Sequence, residues 1–575
     1  MHRVPNLRLQ GLAQLVQSYP VPLAAVATLS VVANLLTLTG SIFMLQVYDR
    51  VLTSRSIPTL LSLTLLTAVM YGFFIAIENL RLRIAIRFSR LVVDWLSQPL
   101  FEAYLRGGLR PNATNTDPLR DLDTVQGFIG SAGPFVLLDL PWVPIYLALI
   151  FALHPLLGWV AIAGAGTITA LLIVSEMQSR GSSRRINNEL LQRVALGESA
   201  RSNAESVIAM GMMRQISERW LAAASRLVDS QQKTADRLAF YTSASRGFRY
   251  FLQSGVLAAG AFLAIHGDMT AGLMIAASII TARALAPVEQ AIAHWRGYVS
   301  ARQALRRIDD TLTAATSPAI ATDLPLPHRD LVVTSMATAP AREHRPLASG
   351  ISFSLQAGDG LGIVGLSGSG KSSLARAIVG VWPTLTGQIR LDGSELSHYD
   401  SERLGACTGY LPQSVELFEG TVAENITRFR SQAATSELLR AAEQSQIHDL
   451  IVSLPQGYDT QVGRHGSILS AGQRQRIGLA RALYGNPFLI VLDEPNSNLD
   501  GEGDKALTGA ITDAMARGAI VVVVAHRPSA IAALNKLLLM ENGRQVVFGD
   551  KDEVMRVIGP QSARPEPTQL QQNGA

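Results

Sequence analysis

A glycine-rich run from Gly365 to Ser372, with the sequence GLSGSGKS, has residue types suited to holding phosphate. Glycines allow backbone N–H groups to wrap phosphate oxygens, Lys371 supplies a positive charge, and the Ser372 hydroxyl can bind Mg²⁺. The run lies between the apolar stretch 361–364 and a helical pattern that starts at Lys371, and this strand–loop–helix context supports such a motif. The residues predicted to bind phosphate are Gly365, Leu366, Ser367, Gly368, Ser369, Gly370, Lys371, Ser372 and Ser373.

Two acidic residues follow a second apolar run, 488–492, which has the pattern of a buried parallel strand. Asp493, at the end of this strand, is expected to hold Mg²⁺ directly or through water. Glu494 is expected to polarise the attacking water, because hydrolysis needs an in-line water beside the γ-phosphate. The alternative is a structural acid pair at the protein surface.

Two further polar residues follow apolar segments. Gln413 comes after Tyr410-Leu411-Pro412 and is predicted to reach Mg²⁺ or the attacking water. His526 stands at the C-terminal end of the predicted buried strand 521–525. Since ligands of doubly wound sheets bind at the C-terminal ends of strands, His526 is a candidate γ-phosphate sensor.

The segment 469–473 (LSAGQ) is predicted to open a helix over 472–484. A helix N-terminus offers backbone donors and the positive end of a dipole to a phosphate. The phosphate-binding loop already has such a helix, so this second anion site implies a second, facing ATP. Its predicted ligands are Ser470, Ala471, Gly472 and Gln473. Together, these motifs in this order predict an ATP-hydrolysing motor.

The elements that position this motor fill only part of a 575-residue chain, which is too long for one domain. Hydrophobic residues make up 48% and charged residues 17%, which is too apolar for an ordinary soluble protein. The net charge of +5 fits either nucleic-acid binding or arginine-rich cytoplasmic loops. The second interpretation is favoured, with no nucleic-acid partner, because the basic residues are not interleaved with aromatics. The single cysteine, Cys407, excludes an intrachain disulfide, and 1–17 does not resemble a cleavable signal.

The apolar excess lies before about residue 290 and predicts membrane-spanning helices, each of which needs about 20 apolar residues. Six are predicted, at 23–47, 58–79, 134–153, 156–177, 249–267 and 270–291. The long loops between them are rich in arginine, whereas the turns near 154 and 267 carry no lysine or arginine. The positive-inside rule therefore places both long loops in the cytoplasm. Short transverse segments at 119–128 and 204–212 are predicted to contact the motor, the alternative being plain surface helix.

Ionisable residues inside a membrane span are costly and need a reason. Asp139 and Glu289 are expected near the membrane interface. Arg283 lies deeper and is expected to face the interior of the helix bundle. There it either contacts cargo or pairs with an acid.

The motor resembles the nucleotide-binding domain of ABC transporters, with Walker A at 365–372, Walker B at 488–493 and the signature at 469–473. The resemblance implies a membrane α-helical domain of the ABC exporter type, with six transmembrane helices, fused to an α/β P-loop ATPase domain. The expected divisions are a transmembrane domain over 1–300, a linker over 301–327, the nucleotide-binding domain over 328–558 and a disordered tail over 559–575. The cofactors implied are ATP and Mg²⁺.

A narrower resemblance is to type I secretion permease/ATPases of the protease and lipase exporter branch. It rests on the segments 38–52 (LTGSIFMLQVYDRVL), 139–144 (DLPWVP), 411–413 (LPQ), 417–418 (LF) and 494–500 (EPNSNLD). It implies a homodimeric half-transporter in the bacterial inner membrane, in which the signature of one protomer caps the ATP of the other. Asp500 matches the D-loop at the dimer seam.

The same resemblance implies partners outside the cytoplasm and a class of cargo. The partners would be a periplasmic membrane-fusion adaptor and an outer-membrane channel, and the cargo an unfolded protein with a C-terminal signal. Relatives that carry an extra N-terminal cytoplasmic domain would differ from this chain, whose first span starts near residue 23. Three departures from the family pattern stand out. Ala339 takes the place of an adenine-stacking aromatic, Ala471 the place of the usual glycine of the signature, and Arg464 the place of a common acid before the signature.

Two other functions compete with protein export. A lipid or small-molecule exporter is an alternative because the motor does not specify the cargo. A receptor that binds ATP without turnover is a second, but the intact Lys371, Asp493, Glu494 and His526 argue against it.

Overall fold

The computed structural model describes residues 20–108, 117–179, 181–315, 324–340, 343, 345–499, 501–525 and 527–558. These residues form two compact units, a helical one that ends at Ala315 and an α/β one that begins at residue 324. The last helix of the first unit runs through residues 301–315 of the predicted linker. The predicted tail, 559–575, lies outside the described residues.

The described residues of the first unit form helices joined by short turns. Its helices are α1 Pro20–Thr37, α2 Thr39–Gln46, α3 Leu52–Ser54, α4 Ile57–Gly108, α5 Pro118–Ile129, α6 Gly133–Asp139, α7 Trp142–Leu153, α8 Pro155–Ser179, α9 Ser182–Ser202, α10 Ala204–Ala209, α11 Met213–His266 and α12 Ala271–Ala315. A π-helical turn, Val47–Val51, joins α2 to α3.

Five helical segments in the described part of the chain are long and apolar enough to cross a membrane, and six if the bent pair α6–α7 is one span. The predicted third span, 134–153, is therefore not one straight helix, because α6 and α7 meet at an angle of 41°. The bend occurs at Leu140 and Pro141, where proline supplies no backbone N–H to continue the helix. At Gly267, with φ +84°, the chain makes the predicted short turn between α11 and α12.

Three helices are much longer than a bilayer requires. The helix α4 has 52 residues, α11 has 54 and α12 has 45, against about 20 for one crossing. Each of the three is therefore long enough to cross a bilayer once and to continue for several more turns. The predicted transverse segments also form separate short helices, α5 and α10.

The second unit contains one ten-stranded sheet with helices around it. Its elements are β1 Asp330–Thr338, β2 Ala348–Gln356, β3 Gly360–Val364, α13 Lys371–Ile378, β4 Thr384–Leu391, β5 Ser394–Glu395, α14 Ser401–Cys407, β6 Thr408–Leu411, α15 Val422–Ile426, α16 Thr435–Gln444, α17 His448–Ser453, α18 Ala471–Leu483, β7 Leu489–Asp493, α19 Gly501–Ala516, β8 Ile520–Val524, α20 Pro528–Ile531, β9 Lys536–Glu541, β10 Arg544–Asp550 and α21 Lys551–Ile558. The strand order is β5-β4-β1-β2-β10-β9-β3-β8-β7-β6.

The strands β9, β3, β8, β7 and β6 run parallel to their neighbours in this order. Each residue of β7 and β8 is buried, as expected for strands covered on both faces. Separate hydrophobic clusters pack on the two faces, and burial of each large aliphatic side chain contributes about 1.5–3 kcal/mol. These buried strands fix the positions of the loops that follow them.

Register brings the C-terminal ends of the strands together. Leu411 pairs with Leu492, Asp493 pairs with Val524, and Ile363 also pairs with Val524. The residues that follow β6, β7, β8 and β3 therefore emerge at one edge of the sheet. This edge carries the predicted site.

Candidate ATP site

The loop between β3 and α13 has a backbone that only glycine can adopt at two positions. Gly365 has φ +150° and Gly370 has φ +89°. A Cβ at Gly365 would lie 2.2 Å from the carbonyl oxygen of Met540, and one at Gly370 would lie 2.5 Å from that of Leu347. The two glycines therefore allow the loop to pass closely over neighbouring backbone and to turn into α13.

Lys371, the first residue of α13, folds back over this loop. Its ammonium group donates to the carbonyl oxygens of Gly365, at 3.0 Å, and Leu366, at 2.8 Å. The residue is only 5% exposed. Burial lowers the pKa of Lys371, whereas the negative charges of Glu494 and Asp493 oppose this shift. A phosphate group would supply the anionic partner that this buried cation needs.

Ser369 adds an observation that fits a phosphate ligand. The residue is 4% exposed, and its hydroxyl oxygen has no hydrogen-bond partner among the described residues. Buried hydroxyls without partners are rare in proteins, and a bound ligand is one way to satisfy them. The first N–H groups of α13 are free of intrahelical partners for the same reason as in any helix.

Asp493, at the end of β7, meets Ser372 from α13. The Ser372 hydroxyl donates to Oδ1 of Asp493 at 3.0 Å. Asp493 is fully buried, and its Oδ2 has no hydrogen-bond partner among the described residues. Burial raises the pKa of Asp493, the charge of Glu494 acts in the same direction, and the bond from Ser372 opposes both. The pair thus offers a carboxylate oxygen and a hydroxyl, which are the ligand types that Mg²⁺ prefers.

A cation held by Asp493 and Ser372 would depend on further ligands from outside the chain. Within the described ranges, no group of three or more histidine, cysteine, aspartate or glutamate side chains is suited to bind a metal. Mg²⁺ characteristically takes one or two protein ligands together with substrate phosphates and water. The arrangement therefore fits Mg²⁺ that arrives with a nucleotide.

Glu494 and Gln413 lie side by side at the same sheet edge. The side-chain amide of Gln413 donates to Oε2 of Glu494 at 3.1 Å. The backbone N–H of Glu494 donates to the carbonyl of Val524, at the end of β8, at 3.0 Å. Glu494 has φ +50°, a left-handed conformation that is strained in non-glycine residues and is often found at functional sites. The backbone bond thus holds Glu494 against the end of β8, and the bond from Gln413 orients its carboxylate.

Gln475 is a buried polar residue next to the site that the sequence did not reveal. It lies in α18, is 2% exposed, and donates from its side-chain amide to the carbonyl oxygen of Pro495 at 3.0 Å. This bond attaches α18 to the turn directly after Glu494. The only sequence signal would have been a polar residue on the buried face of an amphipathic helix.

The predicted second anion site forms the N-terminus of α18. The helix begins at Ala471 and ends at Leu483, one residue before each predicted bound, because Ser470 is the N-cap. Ser470 and Gln473 form a capping box, in which Gln473 N–H donates to the Ser470 hydroxyl at 3.2 Å and Ser470 N–H donates to Gln473 Oε1 at 2.9 Å. Throughout the described residues, no hydrogen bond or ion pair joins 470–473 to the phosphate-binding loop.

Several predicted residues lie elsewhere. His526 and Asp500 are outside the described residues. Ala339 is fully buried. In the membrane unit, Glu289 accepts ion pairs from Arg249 at 2.6 Å and Arg246 at 3.4 Å.

Two family models match the chain. The model of the ABC transporter transmembrane region covers residues 23–285, and the ABC transporter model covers residues 348–497. The first spans the predicted membrane helices up to the middle of the sixth, and the second contains both nucleotide motifs and the signature.

Three curated proteins are similar over most of this chain. The Type I secretion system ATP-binding protein PrsD of Rhizobium meliloti (strain 1021) is 46% identical over 539 residues, which are 93% of each protein. The cyclolysin secretion/processing ATP-binding protein CyaB of Bordetella pertussis is 26% identical over 93% of this chain and 76% of its own length. The leukotoxin translocation ATP-binding protein LktB of a Pasteurella haemolytica-like species is 27% identical over 92% and 75%.

A solved structure shares the fold. The structure of a bacterial Atm1-family ABC exporter with ATP bound superimposes with a TM-score of 0.80 at 22% identity, covering 94% of this chain and 99% of the other. Together with the matched family models, this similarity confirms the predicted fold class, a helical membrane domain fused to an α/β P-loop ATPase domain.

Proposed function

Since this chain belongs to the ABC transporter family and to its type I secretion ATPases, we propose that it exports polypeptides across the bacterial inner membrane. The observation that carries the proposal is 46% identity with a type I secretion ATP-binding protein over 93% of both chains. The intact site at the sheet edge supports ATP hydrolysis as the energy source.

The phosphates of ATP are proposed to bind the loop and the first turn of α13. Lys371 would exchange its two loop carbonyls for phosphate oxygens, and its charge would stabilise the negative charge of the transferred group. The backbone donors would come from the glycine loop. The proposed ligands in full are Gly365, Leu366, Ser367, Gly368, Ser369, Gly370, Lys371, Ser372 and Ser373.

Asp493 and Ser372 are proposed to hold Mg²⁺, with Gln413 as a further ligand on the cation or its water. When bound, Mg²⁺ supplies positive charge against the β- and γ-phosphate oxygens. The support is the orphaned carboxylate oxygen of buried Asp493 beside the Ser372 hydroxyl.

Glu494 is proposed to accept a proton from the attacking water. The bond from Gln413 and the bond to Val524 orient its carboxylate, so the base is positioned before the water arrives. His526 is proposed to contact the γ-phosphate, because in the sequence it comes two residues after the end of β8.

Ser470, Ala471, Gly472 and Gln473 are proposed to contact the ATP of a second protomer. The start of α18 presents helix N–H groups, and no bond connects it to the phosphate loop of its own chain within the described residues. A homodimer would then hold two ATP molecules, each between one loop and one signature. Both motors would act in the cytoplasm, with a periplasmic adaptor and an outer-membrane channel completing the export path.

The test is a comparison of culture medium from cells with and without the gene. Mass spectrometry should show the loss of one or a few secreted proteins from the medium and their accumulation inside the cells. An unchanged set of secreted proteins, with the chain expressed in the control, would reject polypeptide export and favour a lipid or small-molecule cargo.

A further inference from the structure

A cavity of about 320 Å³ lies inside the membrane unit among α1, α4, α6, α7 and α12. Four charged residues line it: Glu78 and Arg81 from α4, Asp139 at the end of α6, and Arg283 from α12. Charged groups inside a bundle of membrane-spanning helices are costly and usually face a pathway or a partner. Each of the four therefore calls for an explanation.

Arg81 is the partner of both acids that line the cavity, Glu78 and Asp139. It is 2% exposed, donates to Glu78 Oε1 at 2.6 Å and to both carboxylate oxygens of Asp139 at 3.4 Å. Asp139 also accepts from the side-chain amide of Asn34 at 2.7 Å. The guanidinium packs over the ring of Phe135, with 4.6 Å between its carbon and the ring centroid. Both carboxylates thus have partners within the chain.

Arg283 has no such partner in the part of the chain that the structure describes. Among the described residues, no hydrogen bond or ion pair involves its guanidinium, so the expected alternative of a structural pair with an acid is not found. It lies twelve residues after the start of α12 at Ala271, about 18 Å along a helix that rises about 1.5 Å per residue. That distance is more than half of a hydrocarbon core of about 30 Å. Arg283 is also exposed rather than buried among the helices.

We propose that Arg283 binds carboxylate groups of the polypeptide cargo in this cavity, an inference that rests on the proposed export function. A guanidinium offers a planar fork of N–H donors that matches the two oxygens of a carboxylate. Arg81 is already paired with Glu78 and Asp139 and is buried, so Arg283 is the cation of this cavity that is exposed to an arriving carboxylate.

Glu78 lowers the affinity of the cavity for carboxylates. Its side chain is 42% exposed and carries a negative charge into the same cavity, so it repels an arriving carboxylate. A transport site must release its cargo, and this repulsion favours release. Removal of the Glu78 charge should therefore strengthen binding, while removal of the Arg283 charge should weaken it. A purely structural role of the cluster does not produce these opposite signs.

The experiment measures peptide binding to the purified full chain in neutral phosphatidylcholine nanodiscs by fluorescence anisotropy. The probes are an unfolded peptide with glutamate side chains and an amidated C-terminus, its glutamine counterpart, and the glutamine peptide with a free C-terminal carboxylate. The wild type should bind the glutamate peptide about tenfold more tightly than the amidated glutamine peptide. The third peptide shows whether the site binds a C-terminal carboxylate as well as the carboxylates of side chains.

Three variants complete the test. Arg283→Gln should abolish the preference for glutamate, and Glu78→Gln should enlarge it. Arg296→Gln, which removes an exposed charge from the same helix outside the cavity, should leave it unchanged. ATP hydrolysis and the midpoint of thermal unfolding, compared between Arg283→Gln and Arg296→Gln, verify that both variants fold.

Equal binding of the glutamate and glutamine peptides by the wild type would overturn the proposal, as would a preference that survives Arg283→Gln. If the preference for the glutamate peptide disappears when phosphatidylglycerol is added to the nanodiscs, the site binds the phosphate of a lipid. That result would reject the proposal that Arg283 binds carboxylates of the cargo. Protein export by the wild-type chain, read from the culture medium, separates a failure of this site from a failure of the proposed function.

Discussion

Neutralising Asp493 should stabilise the nucleotide-free protein although it removes a proposed Mg²⁺ ligand. Asp493 is fully buried, Ser372 satisfies only its Oδ1, and the pKa of the carboxyl is raised, mainly by burial. The ionised form is therefore less stable in the folded protein than in water. In Asp493→Asn the amide oxygen can still accept the bond from Ser372, while the buried charge disappears.

The size of the effect follows from the unsatisfied oxygen. A buried polar group without a partner costs about 1–3 kcal/mol. Because the amide N–H₂ of asparagine also lacks a partner at that position, recovery of roughly 1 kcal/mol is expected. For a unit of this size, such a gain raises the unfolding midpoint by about 2–4 °C.

The raised pKa of Asp493 also determines how the free energy of unfolding changes with pH. A group with a raised folded-state pKa contributes stability that is complete below its unfolded value, 3.8, and is lost as pH rises through the folded value. The wild type should therefore lose stability relative to Asp493→Asn as pH increases from about 4 toward neutrality. Below this range the two proteins should unfold at the same temperature.

The assay is thermal unfolding followed by tryptophan fluorescence, in EDTA and then with Mg²⁺ and ATP. In EDTA the variant should unfold at the higher temperature, whereas Mg²⁺ and ATP should stabilise the wild type much more than the variant. Asp513→Asn, which neutralises an exposed acid on α19, is the matched control. A lower or unchanged midpoint of Asp493→Asn in EDTA would refute the argument that this carboxylate is an uncompensated buried charge.

Three further variants test the other parts of the site. Lys371→Ala should weaken ATP binding about 10- to 100-fold, since a buried charged hydrogen bond contributes about 1.5–3 kcal/mol, and calorimetric titration should show no change for exposed Lys505→Ala. Glu494→Gln should retain ATP binding but lose hydrolysis by about 10²–10⁴-fold in a phosphate-release assay, and unchanged turnover would remove Glu494 from the role of base. Gln475→Leu leaves the Pro495 carbonyl without its partner, so turnover should fall at unchanged ATP affinity; equal turnover would show that this bond does not position the base.

The parts of the site that sequence reasoning could locate are those encoded locally. The phosphate loop and the acidic pair each sit directly after a buried strand, and parallel strands place such ends at one sheet edge. The bounds of α18 differ by one residue from the expectation, because the Ser470 cap makes Ala471 the first helical residue and Tyr484 is already extended.

The sequence does not predict contacts between residues that are far apart in the chain. The bond from Gln413 to Glu494 joins residues 81 positions apart, and the bond from Gln475 to Pro495 depends on how α18 packs. In the membrane unit, the partner of each acid depends on helix rotation, which hydropathy does not encode. Asp139 and Glu289 thus pair with arginines on other helices, whereas Arg283 has no acidic partner within the described residues. The same limit applies to the third span, where apolarity is continuous but the helix axis bends at Pro141.

The central claim is that ATP hydrolysis at this sheet edge drives polypeptide export. The most direct measurement compares the proteins in the medium of gene-deleted cells that express either the wild-type chain or Glu494→Gln at equal levels. The wild type should restore the missing secreted proteins, and the variant should leave them inside the cells. Restoration by Glu494→Gln, or failure of the wild type to restore any secreted protein, would contradict the account.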